Sequence, residues 1–162
     1  GRPGAASPAP AEPAVDPRFA DLKRRNYTEE RLGGADLRHL DLTGADLRQA
    51  TYDGSTRWPA GFDYRRSGAI GPGAVLTGVV LRNRRLIGLD LRGGQLRGAD
   101  LRDSDLRQMR LEGADLRGAK LHGADLRGAR LDGCRLDAAK FTTATRWPAD
   151  FVAADHGAEL VL

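Results

Sequence analysis

The sequence predicts an all-β solenoid, an extended chain wound into stacked coils. Three observations predict it: Leu recurs at every fifth position over long stretches, Gly recurs at a fixed place between the leucines, and the letters TRWPA close each of two such stretches. The first ladder runs Leu32, Leu37, Leu42, Leu47 and Tyr52. The second runs from Leu76 to Leu136 in steps of five and ends on Phe141. A helix is excluded, because about 100° per residue would turn each successive Leu by roughly 140° and no apolar face would form. The frequent glycines would each cost a helix on the order of 1 kcal/mol as well.

The unit parses as small, charged, Leu, charged, Gly, as in Ala114-Asp115-Leu116-Arg117-Gly118. Two-residue alternation sends Ala114 and Leu116 to one side and Asp115 and Arg117 to the other. Gly118 supplies a permissive corner. If every unit turns the same way the leucines point inward, and stacked coils bury what one coil cannot.

The stretch "GADLRGAKLHGADLRGARLDG" closely resembles the repeat of the pentapeptide repeat proteins, over about residues 30–54 and 74–143. The resemblance implies a right-handed quadrilateral parallel β-helix, four units to a coil, with Leu and the residue two before it inside. Nineteen units then make nearly five coils, a solenoid about 20 Å tall at a strand spacing of about 4.8 Å.

At 162 residues the chain suits one domain. Residues 1–17, rich in Pro and Ala, read as a disordered linker or tail. Asp16 as N-cap, Pro17 at the first helical position and basic residues before Asn26 predict a short helix, so that short helices flank the solenoid. Residues 18–162 are expected to form a single solenoid, with repeats over 30–54 and 74–143 and TRWPA loop or cap motifs over 55–73 and 144–162.

The two motifs hold the only tryptophans. Trp58, Pro59 and Phe62 align with Trp147, Pro148 and Phe151 at a separation of 89 residues. A solenoid end exposes apolar interior and unpaired edges. Large aromatics that cover it and a Pro that forbids further pairing suit a cap. Tyr52 and Leu76 lie 24 residues apart, not a multiple of five. The first motif is therefore expected as an extruded loop, in preference to a division of the solenoid into two stacks. The rival role for Trp58 or Trp147 is an exposed anchor for a partner.

Seven units read Asp-Leu-Arg, at Asp36, Asp46, Asp90, Asp100, Asp105, Asp115 and Asp125, and three read in reverse, at Arg110, Arg130 and Arg135. Charge compensation within each unit leaves small alternating patches. Residues 20 apart should stack, placing Arg97 over Arg117 and Arg107 over Arg127 as short basic stripes. Arg84 breaks the pattern by standing in an inward small-residue slot. Together with Arg85, and opposite the irregular Arg65 and Arg66, it marks the most basic and least regular region and the first candidate for a contact site. Cys134 occupies an inward Ala slot and reads as a packed thiol, while His39, His122 and His156 have no metal-ligand spacing. No catalytic residue, metal or cofactor is assigned.

These readings converge on a non-catalytic scaffold that binds a protein partner, as a monomer or as a homodimer through a solenoid end. A second reading follows from the resemblance, which implies that some relatives mimic DNA and modulate DNA gyrase or other type II topoisomerases, conferring drug resistance. The 14 Lys/Arg against nine Asp/Glu over residues 74–143 weaken it. A third, weak anion or nucleic-acid binding through the Arg stripes, is opposed by the interleaved aspartates, and nucleic acid is not the expected partner. No segment approaches the roughly 20 apolar residues of a membrane span. Localisation stays open, with the cytoplasm favoured.

Overall fold

The structure, a computed structural model, describes residues 30–162. The tail and helix expected before Asn26 lie outside the described residues. Parallel bridges join positions 20 apart along the chain, as in Val75, Gln95, Asp115 and Arg135, or Val80, Asp100, Lys120 and Lys140. With a unit of five, an offset of 20 means four units to each coil. Each bridge is double: Gln95 donates to the Ala74 carbonyl and accepts from the Leu76 N–H, both at 2.8 Å. Most of these contacts are isolated bridges, because an extended stretch lasts only as long as one unit. Among the described residues the paired strands are β1 (Lys140–Phe141) and β2 (Glu159–Leu160), which lie parallel.

The corners explain the period. In a typical unit the Ala119 N–H donates to the Leu116 carbonyl at 3.0 Å, and Gly118 between them has φ +66°. That is a type II turn, which requires a positive φ at its third residue. Asp103 and Gln108 hold the same corner at φ +59° and +57°, against the usual side-chain preference. Leucines and small residues fill the interior as expected, Leu96, Leu116 and Leu121 being completely buried beside Ala99, Ala114 and Ala119. Each such Leu contributes roughly 1.5–3 kcal/mol relative to exposure. Among the described residues no helix is long and apolar enough to cross a membrane.

The first TRWPA motif is not an extruded loop. Arg57 bridges Asp36, and Ile70 bridges Thr51, so residues 51–70 close one coil of the solenoid in 19 residues instead of 20. The second motif repeats this construction: Arg146 bridges Asp125, and Glu159 pairs with Lys140, again 19 residues on. In each copy the unit entering the motif carries one extra residue, and a threonine hydroxyl absorbs it. Thr56 Oγ1 donates to the Leu32 carbonyl and accepts from the Asp53 N–H, at 2.9 and 3.2 Å. Thr145 Oγ1 does the same for Leu121 and Thr142, at 2.8 and 3.1 Å. A short 3-10 turn follows in both, Tyr64–Arg66 and Ala153–His156.

The aromatic side chains fill these two coils. Trp58 stacks on Phe62 and on Tyr64, with ring centres 5.6 and 5.2 Å apart, and meets Tyr52 edge-on at 5.5 Å. Trp147 meets Phe141 edge-on and stacks on Phe151 at 5.5 and 5.4 Å. Tyr52 is buried in the core, and the other rings pack partly buried against it. Native emission from both tryptophans is therefore expected to be blue-shifted and poorly quenched by acrylamide; an exposed anchor would emit in the red and quench readily. Thr145→Val should destabilise the chain by about 1–3 kcal/mol, the cost of orphaning buried partners, whereas Thr145→Ser should recover most of the loss in a urea titration.

Candidate interaction surface

The outer surface is organised by the Asp-Leu-Arg units. In all seven the guanidinium forks onto its own carboxylate, as where Arg117 Nε and Nη2 lie 2.8 and 2.6 Å from the Asp115 oxygens. The same carboxylate accepts the backbone N–H of the arginine at the turn, 3.2 Å away for Arg117. The Asp therefore braces the corner as well as pairing the charge. Hydrogen bonds from Arg48, Arg102 and Arg117 hold Asp46, Asp100 and Asp115 down at about 2. Asp36 is lowered further by Arg38. At Asp90 burial pushes the carboxyl up, and Arg92 outweighs it. The reverse units also reach across coils: Arg130 lies 3.1 Å from Glu112, and Arg110 lies 3.9 Å from Asp90 as well as from Glu112 in its own unit.

These forks settle the geometry of the expected stripes. Gly98 donates to the Arg117 carbonyl and Gln108 to that of Arg127, so Arg97 does stack on Arg117 and Arg107 on Arg127. Yet Arg107, Arg117 and Arg127 are each bound to their own aspartate. Arg97 follows Gln95 and has no such carboxylate.

Among the described residues the ladder is interrupted most widely after the first motif coil. Between residues 52–69 and the next coil, 75–94, one backbone hydrogen bond is formed among the described residues, from Val75 to the Arg65 carbonyl at 2.7 Å. Ile70 does not bridge Asp90. The chain crosses this break over Tyr52, whose hydroxyl donates to the Pro72 carbonyl at 2.9 Å. Gly71 passes so close that a Cβ would sit 2.6 Å from the Tyr52 ring. Two clefts flank the crossing. The larger, about 930 Å³, is lined by Arg31, Thr51, Ile70 and residues 84–90. The smaller, about 310 Å³, is lined by Trp58, Tyr64, Arg65 and Arg92, and both touch Tyr52 and Asp53.

The four irregular arginines are thus divided between sites. Arg84 and Arg85 line the larger cleft and Arg65 the smaller, where it lies over the Tyr64 ring at 5.7 Å. Arg66 lines neither and pairs with Asp63 at 3.8 Å. Arg84 does not distort its coil. Ser104, in the inward slot 20 residues later, donates from Oγ to the Leu81 carbonyl at 2.6 Å and accepts from the Arg84 N–H at 3.4 Å, replacing the missing turn bond. Arg31, absent from the sequence candidates, was legible as an arginine in the Asp slot with Gly33 where a compensating acid would stand. Cys134 packs against the core, and burial pushes its thiol up to about 12, leaving it protonated and unreactive at neutral pH. Among the described residues no group of His, Cys, Asp and Glu could hold a metal ion.

A chain wound four five-residue units to a coil, with leucines inside and parallel bridges between coils, is a repeat β-helix solenoid. The chain belongs to the pentapeptide-repeat family: it matches "Pentapeptide repeats (8 copies)" over residues 18–51, 72–103, 99–137 and 110–145. The match leaves out 52–71 and 146–162, the greater part of the two motif coils. Among solved structures it is similar to alr5209, a pentapeptide repeat protein from Nostoc Pcc 7120, at 36% identity over 56% of this chain and 83% of that one, TM-score 0.33. It is similar to HetL of Nostoc sp. strain PCC 7120, involved in heterocyst differentiation regulation, at 24% identity over 87% and 89% of the two chains, TM-score 0.30. Full-length QnrB1, a plasmid-mediated fluoroquinolone resistance protein, matches at 17% identity over 83% and 85%, TM-score 0.33. No curated sequence matches the chain.

The forks make stability depend on acid. Each carboxyl is lowered in the folded chain, so its contribution is complete above the unfolded carboxylate range near 4 and is lost as pH falls through the folded values. The urea midpoint should stay flat from pH 7 to about 5 and fall steeply from about 4 toward 2. Replacing Asp100, Asp105, Asp115 and Asp125 with Asn should flatten the fall.

Proposed function

We propose that this protein is a non-catalytic scaffold whose solenoid presents fixed outer faces to a protein partner. The observation that carries the reading is the economy of its polar groups. The aspartates brace corners, their arginines are tied to them, and Thr56, Thr145 and Ser104 repair coils. Residues 18–162 act in this reading as one right-handed unit, with 1–17 as a tether. Trp58, Pro59, Phe62, Trp147, Pro148 and Phe151 close the coils in which the regular repeat stops. The final coil, with Val152 and Leu160 each 55% exposed, would serve a homodimer.

DNA mimicry is the weaker alternative, because the Asp-Leu-Arg forks neutralise the acids on which an imitation of phosphates would depend. Binding nucleic acid through Arg107, Arg117 and Arg127 is weaker still, since each guanidinium would first have to leave its carboxylate. A DNA gyrase supercoiling assay titrated with this chain, with and without a quinolone, separates these readings. The expected outcome is no inhibition and no drug protection at low micromolar protein; either effect would replace the scaffold reading with topoisomerase modulation.

A further inference from the structure

Building on the scaffold reading, we infer that the break in the ladder between residues 52–69 and 75–94 is a docking site for an acidic, extended peptide segment of a protein partner, which adds a strand along residues 84–90.

The first support is charge. Residues 51–94 carry seven arginines (57, 65, 66, 82, 84, 85 and 92) against three acids (Asp53, Asp63 and Asp90), an excess equal to the +4 of the whole chain. All the remaining residues together balance. The two acids that line the larger cleft are already engaged. Asp90 is held by Arg92 at 2.6 Å, and Asp53 accepts from the Ser55 hydroxyl and the backbone of Ser55 and Gly34 at 2.6, 2.9 and 3.3 Å. Arg31 and Arg85 each stand in the slot an Asp normally fills, with Gly33 and Ile87 where the reverse units place an acid. The field in the cleft is therefore positive, and a ligand carboxylate meets guanidinium donors on both walls.

The second support is the backbone. Between residues 75–94 and the coil that follows, hydrogen bonds run both ways: the Asp105 N–H donates to the Arg84 carbonyl and the Leu86 N–H donates to the Asp105 carbonyl, both at 2.9 Å. One coil earlier the pattern lapses. Among the described residues the N–H groups of Arg85 and Asp90 and the carbonyls of Arg85, Ile87 and Asp90 have no backbone partner. The lapse coincides with the cleft of about 930 Å³ that these residues line. An unpaired parallel edge is a template for an added strand. Its outward neighbours on the ligand would alternate, so acidic residues at every second position suit the flanking arginines.

The test is fluorescence anisotropy of the full chain with a labelled acetyl-(Glu-Val)4-amide peptide at low salt. Saturable binding is expected, weakened about tenfold or more by the double variant Arg31→Glu, Arg85→Glu and unchanged by Arg97→Glu on another face. N-methylation of alternate peptide amides should weaken it to a similar degree, because it removes ladder donors while keeping charge. No saturable binding would overturn the inference. So would binding indifferent to Arg31 and Arg85, binding indifferent to N-methylation, or tighter binding of a single-stranded oligonucleotide of equal charge. Arg31→Gln, Arg85→Gln, with its thermal midpoint measured alongside, guards against loss of fold. A failed peptide leaves the scaffold reading intact, since other faces remain; gyrase activity would remove the scaffold reading without touching the peptide result.

Discussion

The solenoid depends on one constraint: at nearly every fifth residue the chain takes a left-handed backbone conformation so that it can turn a corner. Fifteen glycines and a few residues such as Asp103 and Gln108 accept it. Once that corner is imposed, the rest follows in sequence. Only three residues remain between successive turns, so a unit has room for a single bridge. The side chains either side of the Leu point outward, and the Leu and the preceding small residue have nowhere to go but inside. Alternating bulk in the core is thus a result of turn geometry. In the seven Asp-Leu-Arg units the aspartate then finds both a turn N–H and a guanidinium within reach, and a bond that looks like surface decoration becomes part of the corner.

Much of this is written in the letters. Period, inward positions, corner glycines and all seven Asp-Leu-Arg pairs can be read from spacing, because each depends on residues within five positions of one another. The first motif could not be read in the same way. A spacing of 24 between Tyr52 and Leu76 looks like a break in register, yet it is a 19-residue coil followed by an ordinary unit. The extra residue before Arg57 is hidden by a later shortening, and the bridge from Arg57 to Asp36 and the bond from Thr56 back to Leu32 reveal it. Compensation between distant residues is invisible to a local pattern.

Arg84 and Ser104 teach the same lesson. An arginine in a small-residue slot signals trouble, but the remedy lies a full coil away, in a serine that looks like one more small residue. The charged cleft was half legible. Arg84 and Arg85 stood out as irregular, whereas Arg31 reaches the same cleft only because the first two coils and the third part company there. The sequence could show which residues were odd, but their neighbours were set by the failure of the ladder to continue.

The two motif coils start on different faces. The first begins at Thr51, in line with Arg31, and the second at Lys140, in line with Lys120, Asp100 and Val80, two corners further round from Ile70. Chain length in such a molecule is converted into orientation. Inserting or removing one five-residue unit between Val75 and Lys140 would swing the final coil to the adjacent face without altering a single contact type, while a change of 20 would restore its bearing and alter only height. The number of repeats therefore acts as an angular setting, fixing the direction in which the closing coil looks relative to the opening stack.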